Sequence, residues 1–314
     1  MESTIVHQFP LLFVILVGMA GLFIAVLLLQ LRRRRSRLTR RSPLTSDLLR
    51  GPGHQLREQI DEIRDKVDES LTMLVFGPML VYAIHLSQSY ILGAAESPLR
   101  IAVSAAAIFG FIVFYTRNLL KLSRRHDHLR LGLDAEIAVG QELDQLMREG
   151  AVVFHDLPAD KFNIDHVVIC PSGVYSVETK GRAKPIKEGG TKDATMYFDG
   201  KALKFPAWTE TEPIKQAERQ ATWLKRWLTS AVGESVSVRP VLALPGWFIE
   251  RQARPSVFIF NGKKPQFLLT LRPEGDLLSK QDIQRIAHQV EQRCRSVQPL
   301  FNRSGNSSTP ATAP

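Results

Sequence analysis

The 314-residue chain has only two cysteines, Cys170 and Cys294. Two thiols so far apart supply no disulfide framework and match no Cys/His metal spacing, which excludes a stapled secreted scaffold and a zinc-finger-type site. The chain also lacks a glycine-rich loop able to cradle phosphates, so nothing in it points to nucleotide hydrolysis. Acidic charge is in short supply, with 31 Asp and Glu against 41 Lys and Arg. That deficit is uneven: residues 1–125 hold 16 basic against 9 acidic side chains, the remainder 25 against 22. Most of the basic excess therefore sits around apolar runs and says little about an anionic partner. The arginine run Arg32–Arg41 could also touch anionic lipid headgroups.

Long apolar runs are what the first third does have. Residues 9–31 form a nearly unbroken one, long enough to cross a bilayer as a helix. Arg32, Arg33, Arg34, Arg35, Arg37, Arg40 and Arg41 follow it. A cleavable leader carries its charge before a shorter run, so this polarity predicts an anchor that stays. Two further spans are expected at 71–93 and 101–120, joined by a tight hairpin. Arg117, Lys121, Arg124 and Arg125 come after the third. Both basic clusters mark the same side and predict the N-terminus outside and the C-terminal domain in the cytoplasm, in a bacterial inner membrane. His85, Ser87, Gln88 and Ser89 near the outer end of the second span fit an interfacial position or interhelical hydrogen bonds better than a transport path. Within the basic loop 32–70, Leu56, Ile60, Ile63, Val67 and Leu71 recur every three or four residues. This predicts an amphipathic helix with a possible role in self-association. Gly51-Pro52-Gly53 breaks the chain before it.

The remaining residues, beginning near 129, suffice for one domain with a substantial core. Helix, strand pair, long loop, helix and later strands near Val236–Leu244 and Ser256–Phe260 make it α/β. From Leu133 to Met147, the apolar positions Val139, Leu143, Leu146 and Met147 keep helical spacing and place Glu136 near the inward stripe. The runs Val167–Cys170 and Val174–Val177 flank the turn signal Pro171-Ser172-Gly173 and read as a β-hairpin. Glu178 and Lys180 then project to one side. If Cys170 pairs with Gly173, or Pro171 with Val174, Asp165 stands opposite Glu178 or Lys180, about 5 Å away at Cβ. An odd loop without a bulge turns Asp165 to the other face. Two carboxylates so placed repel, and a hard divalent cation relieves them; a cross-strand salt bridge is the plainer reading of the same three residues. His166 reads as a packed neighbour. Trp208, Trp223 and Trp227 could stack on bases, but Trp223 and Trp227, one turn apart, read rather as core. Lys180, Arg182, Lys184, Lys187 and Lys192 form a basic stretch suited either to phosphate positioning or to a solvated loop. Residues 278–297 read as a C-terminal helix, and 302–314 as a disordered tail.

Taken in order, Gly132-Leu133-Asp134-Ala135-Glu136, Asn163-Ile164-Asp165-His166, Gly173-Val174-Tyr175, Glu178-Thr179-Lys180 and Pro213-Ile214-Lys215-Gln216-Ala217 resemble the nuclease-related domain, NERD. That family is a branch of the PD-(D/E)xK nuclease-like superfamily, and the likeness covers about 129–272. It implies a restriction-endonuclease-like mixed sheet flanked by helices, preceded here by an α-helical membrane region. It further implies a Mg²⁺- or Mn²⁺-dependent nuclease acting on nucleic acid, DNA ahead of RNA. By position, Asp165, Glu178 and Glu136 would hold the metal, Lys180 would be the catalytic lysine, and Gln216 the polar residue of the next helix. Ala135 departs from a glycine common in the family. The alternative is an inactive nuclease-like module that binds nucleic acid or a protein partner at the membrane.

Overall fold

The computed structural model describes residues 43–90, 97–184, 194–252 and 256–299, with a few single positions elsewhere. The expected first span, 9–31, falls almost wholly outside the described residues, as does the tail 302–314. The chain divides into two units, one of residues 1–46, 62–125 and 298–314, the other of 47–61 and 126–297.

Within the first unit lie most of helix α1 (His54–Tyr90) and the first part of helix α2 (Pro98–Asp144). Both helices are long and apolar enough to cross a membrane. Their apolar side chains face outward, with Val75, Leu80, Ile84, Val103, Phe109 and Phe114 all exposed. A helix turned inside out in this way suits lipid, because no water-excluding partner among the described residues covers it. The few polar groups pair across the helices: His85 Nδ1 meets Ser104 Oγ at 2.9 Å, and Asn118 Nδ2 donates to Ser70 Oγ at 3.0 Å. Arg100 Nη2 donates to Ser89 Oγ and to the His85 carbonyl. Gly77 is obligatory in this packing, since a Cβ there would lie 2.0 Å from the Phe111 ring.

The second unit is α/β. Its main sheet has the order β10-β8-β4-β3-β2, comprising Phe258–Phe260, Val238–Ala243, Gly173–Thr179, Asn163–Cys170 and Val152–Pro158. Strands β2, β3 and β4 form an antiparallel meander; β4, β8 and β10 run parallel. The parallel step from β4 to β8 requires a crossover. It passes through three short strands, β5 (Thr195–Phe198), β6 (Leu203–Lys204) and β7 (Thr209–Glu210), and helix α3 (Glu212–Val232). With β9 (Phe248–Arg251), which follows β8, these strands form a small sheet of order β7-β6-β5-β9. Part of the long loop 181–213 is thus a built element; its residues 185–193 are not described.

Both faces of the main sheet are covered, which explains why β3 and β4 are apolar almost throughout. On one face Ile164, Val167, Ile169 and Val174 meet Ala221, Leu224 and Leu228 of α3, and Ile283, Ile286 and Val290 of helix α4 (Lys280–Cys294). On the other, Val168, Tyr175 and Val177 meet Val139 and Leu143 of α2. Each such aliphatic contributes roughly 1.5–3 kcal/mol by leaving water. Helix α3 begins with Pro213 in its first turn and stops at Gly233, whose φ of 81° ends it. Helix α4 opens on a Ser279–Asp282 capping box. It ends at Cys294, shorter than the expected 278–297, because Arg295–Val297 becomes strand β11 and pairs with β1 (Leu48–Leu49).

Residues 47–61 are thereby part of this unit, although they were expected in a membrane-proximal loop. Arg50 Nη1 pairs with Asp156 at 3.0 Å, and the Gln55 amide at the start of α1 donates to the same carboxylate at 3.1 Å. Pro52 occupies the space a side chain at Gly140 would need, and Leu56 lies against Gly132. Asp156 is 2% exposed and adopts φ 49°, so its conformation depends on these partners. Arg50→Ala should therefore lower the stability of this unit by about 2 kcal/mol, since Asp156 keeps its other donors. Urea or thermal melts check this, and an unchanged midpoint would refute it.

Candidate active site

The site begins with the hairpin register. Cys170 pairs with Gly173 across the two-residue turn Pro171-Ser172, and the ladder runs back to His166 opposite Val177. Just beyond that last pair come Asp165 on one strand and Glu178 on the other, and Gln220 of α3 reaches Glu178. Instead of continuing the ladder, the Asp165 carboxylate accepts the Thr179 amide at 2.7 Å. The Lys180 amide joins the Ala243 carbonyl at 2.9 Å and fixes the end of β4 against β8.

Glu178 is the most enclosed acid, 1% exposed. Lys180 Nζ lies 2.5 Å from its Oε1, and Gln220 Nε2 donates to its Oε2 at 2.5 Å. The same Gln220 amide reaches the Asn163 carbonyl at 3.2 Å, and Asn163 Nδ2 donates to Asp156. Gln220 Oε1 and Thr179 Oγ1 are buried beside this group without a partner.

Glu136 enters from α2. The helix comes close because Gly181 has no side chain: a Cβ there would lie 2.7 Å from the Leu131 carbonyl. Burial pushes the Glu136 carboxyl up to about 8, helped by the charges of Asp156 and Glu178 and opposed by Lys180 and Arg57. Burial likewise raises Asp165 well above the usual carboxylate range, with Glu178 and Glu136 adding to it and the Thr179 amide and Lys180 opposing. Asp165 nevertheless keeps partial solvent access. Three carboxylates and one ammonium thus share a single electrostatic environment, in which all three acids cannot stay ionised cheaply.

Of the residues the sequence picked out, Glu136, Asp165, Glu178 and Lys180 come together. Gln216 does not take the place expected of it: the amide on Glu178 belongs to Gln220, one turn later. With Ile214, Ala217, Ala221 and Leu224 buried, Gln220 lies nearer the middle of the inward stripe, whereas Gln216 is only half-buried. Asp156 and Arg57 carry no local sequence signal, since the first depends on a long-range partner and the second lies on a distant segment.

His166 stands on the opposite face of the sheet. Its Nδ1 is 2.9 Å from His155 Nδ1, and His155 Nε2 is 3.0 Å from Asp144. Burial holds both imidazoles below their ordinary pKa, on His155 against the opposing charges of Asp144 and Asp156, and they pack against each other as neighbours of the sheet. The basic stretch after Lys180 is largely committed to structure. Arg182 forks onto Glu210 at 2.8 Å, and Lys184 lies over the Trp247 ring. Lys187 and Lys192 are outside the described residues. Trp208 stacks on Phe205 and donates to Glu210, as a core residue does.

With this geometry in place, comparison with known families finds one match. Residues 131–245 match NERD, the nuclease-related domain. All four convergent side chains lie inside that stretch, as do Gln216 and Gln220. Searches of curated proteins and of solved structures gave no match. The nuclease-related stretch excludes residues 47–61, which nevertheless supply Arg57 near Glu136.

The raised carboxyls make stability depend on pH. Between 4.5 and about 8, the folded state keeps a proton on Glu136 that the unfolded chain has released. Folding therefore binds a proton at Glu136 in that window, which lowers stability as pH rises. His155 and His166, held below their ordinary pKa, act oppositely up to about 6.5, so the net fall belongs to the window from about 6.5 to about 8. The raised Asp165 acts in the same direction. Thermal melts of metal-free protein should show this fall, and Glu136→Gln should flatten it. A wild-type melting temperature that climbs across the same window would contradict the arrangement.

Proposed function

We propose that this chain is a membrane-anchored, metal-dependent nuclease that hydrolyses phosphodiester bonds at the cytoplasmic face. The observation that carries the reading is the crowding of Glu136, Asp165 and Glu178 around one another with Lys180 in reach. The nuclease-related match over 131–245 supports it.

The donor set fits a hard cation such as Mg²⁺ or Mn²⁺. Among the described residues, no three His, Cys, Asp or Glu side chains are grouped to hold a metal as they stand. Mg²⁺ asks for less, using one or two carboxylates with water and substrate oxygens for the rest. Asp165 and Glu178 are that pair, with Glu136 behind them. When bound, the ion would polarise the phosphoryl group and lower the pKa of a coordinated water.

The chain's own residues do the remainder. Lys180, now on Glu178, is placed to turn its ammonium toward the scissile phosphate and offset charge as it develops. Gln220 fixes Glu178 by occupying one oxygen, so only a single orientation of that carboxylate is available. Asp165 is held by the Thr179 amide through one oxygen. Glu136 takes up or releases a proton near neutral pH, which suits a group that must adjust to a cation arriving beside it.

The two long apolar helices, with the expected third, support a multi-pass anchor in a bacterial inner membrane. The arginine clusters support a cytoplasmic active domain and an outside N-terminus. The rival reading, an inactive nuclease-like module that binds nucleic acid or a protein partner, draws on the absence of a preformed metal cage among the described residues.

Two measurements separate these readings. Lys180→Ala and Asp165→Ala should each abolish Mg²⁺- or Mn²⁺-dependent cleavage of DNA or RNA. Gln220→Ala should lose roughly 10–100-fold and Gln216→Ala little. Activity equal to wild type in the first two would assign cleavage to another site. Separately, Mg²⁺ or Mn²⁺ should raise the melting temperature, and Asp165→Asn should remove that rise. No rise in the wild type favours the inactive module.

A further inference from the structure

One groove on the α/β unit takes no part in holding the acids. It lies along the outer side of α3 and is open, with a volume of about 590 Å³. Phe162 and Trp223 form its aromatic wall, and Lys215, Arg219 and Arg226 line it with positive charge beside a single acid, Glu218. Glu218 accepts from Ser256 at 2.8 Å, and Arg219 is paired with Glu212 at 2.7 Å. Lys215 and Arg226 are exposed, and Lys215 lies near enough to Glu212 for its charge to help lower that carboxyl, after Arg219.

The aromatic wall is held rigidly. Trp223 meets Phe162 edge to face at 5.7 Å and lies nearly parallel to Trp227 at 5.8 Å. Its indole N–H donates to Asp160 at 3.1 Å, and the Arg293 guanidinium sits over both indoles at 5.1 Å. Trp223 is only half-buried despite these braces. A ring fixed in place, partly open and bordered by exposed cations is what an unstacked base and its phosphates require. An ordinary core tryptophan needs neither the opening nor the charges.

The groove also leads to the acids. Phe162 directly precedes Asn163, whose carbonyl receives Gln220 from the inner side of the same helix. At the other end, in the first turn of α3, the Glu212 carboxyl is held below its usual range chiefly by Arg219, with smaller help from Lys215 and Lys180. From Lys215 to Arg226 the helix advances about 16 Å. We propose that this groove is a binding track for single-stranded nucleic acid, with Phe162 and Trp223 as the stacking platform and Lys215, Arg219 and Arg226 as phosphate contacts. The track feeds a strand toward Lys180, so it rests on the nuclease reading and names the form of its substrate. A duplex keeps its bases stacked on each other and offers the aromatic wall nothing but backbone.

The test is binding of the full chain in detergent, with EDTA present so that no cleavage occurs. The probe is a fluorescein-labelled oligothymidylate, compared with a duplex of equal length. Wild type should prefer the single strand. Trp223→Ala should weaken single-strand binding about tenfold while leaving the duplex unchanged, and Trp223→Phe should restore most of the loss. Arg226→Ala should weaken both probes and reduce the slope of log K against log salt by about 0.7. Equal affinity of wild type for single strand and duplex, with no effect of Trp223→Ala, would overturn the proposal. So would an oligoglutamate peptide of matched charge that binds as tightly. Because binding is read without metal, its failure leaves the cleavage reading intact, and inactive acids leave the track intact.

Discussion

Like charge held close together in a place where water is scarce governs the α/β unit. Glu136, Asp165 and Glu178 arrive from a helix and two strands, and each makes the others harder to ionise. Only part of that repulsion is relieved from within. Lys180 and Gln220 take up the two oxygens of Glu178, and the Thr179 amide holds one oxygen of Asp165. Glu136 is left with burial against it and only the more distant charges of Lys180 and Arg57 for it. A fold that tolerates such strain without a visible gain in stability is most simply explained by function.

The backbone is arranged to bring about this crowding. A two-residue turn sets the β3–β4 register, whose last pair, His166 and Val177, directly adjoins Asp165 and Glu178. Gly181 lets the α2 backbone approach the end of β4 closely enough for Glu136 to take part. Residues 47–61 complete the surroundings: Arg50 and the first amides of α1 neutralise Asp156, whose charge would otherwise act on Glu136 more strongly. The segment just ahead of the apolar helices is thus a structural part of the unit that holds the acids.

Much of this was legible in the residues. Period-two alternation and the Pro171-Ser172-Gly173 turn fixed the faces of β3 and β4, because a strand buried on both sides with a short turn admits few registers. Helical spacing through Val139 and Leu143 located Glu136 for the same reason. Legibility stopped where a contact depends on angle or on distance along the chain. Gln216 and Gln220 are both glutamines near one stripe, and only the packed helix shows that the second points to Glu178. The docking of 47–61 rests on Asp156 and on strand β11, more than 100 and 240 residues away, which no local pattern encodes. The small sheet inside the 181–213 loop was equally hidden, since its strands are two to four residues long.

Anomalous scattering from a crystal of the full chain grown with Mn²⁺ reaches the central claim most directly. The account predicts a single strong peak between the carboxylates of Asp165 and Glu178, with the Lys180 ammonium drawn away from Glu178. A map with no peak there, and with the Lys180–Glu178 pair intact, would contradict it.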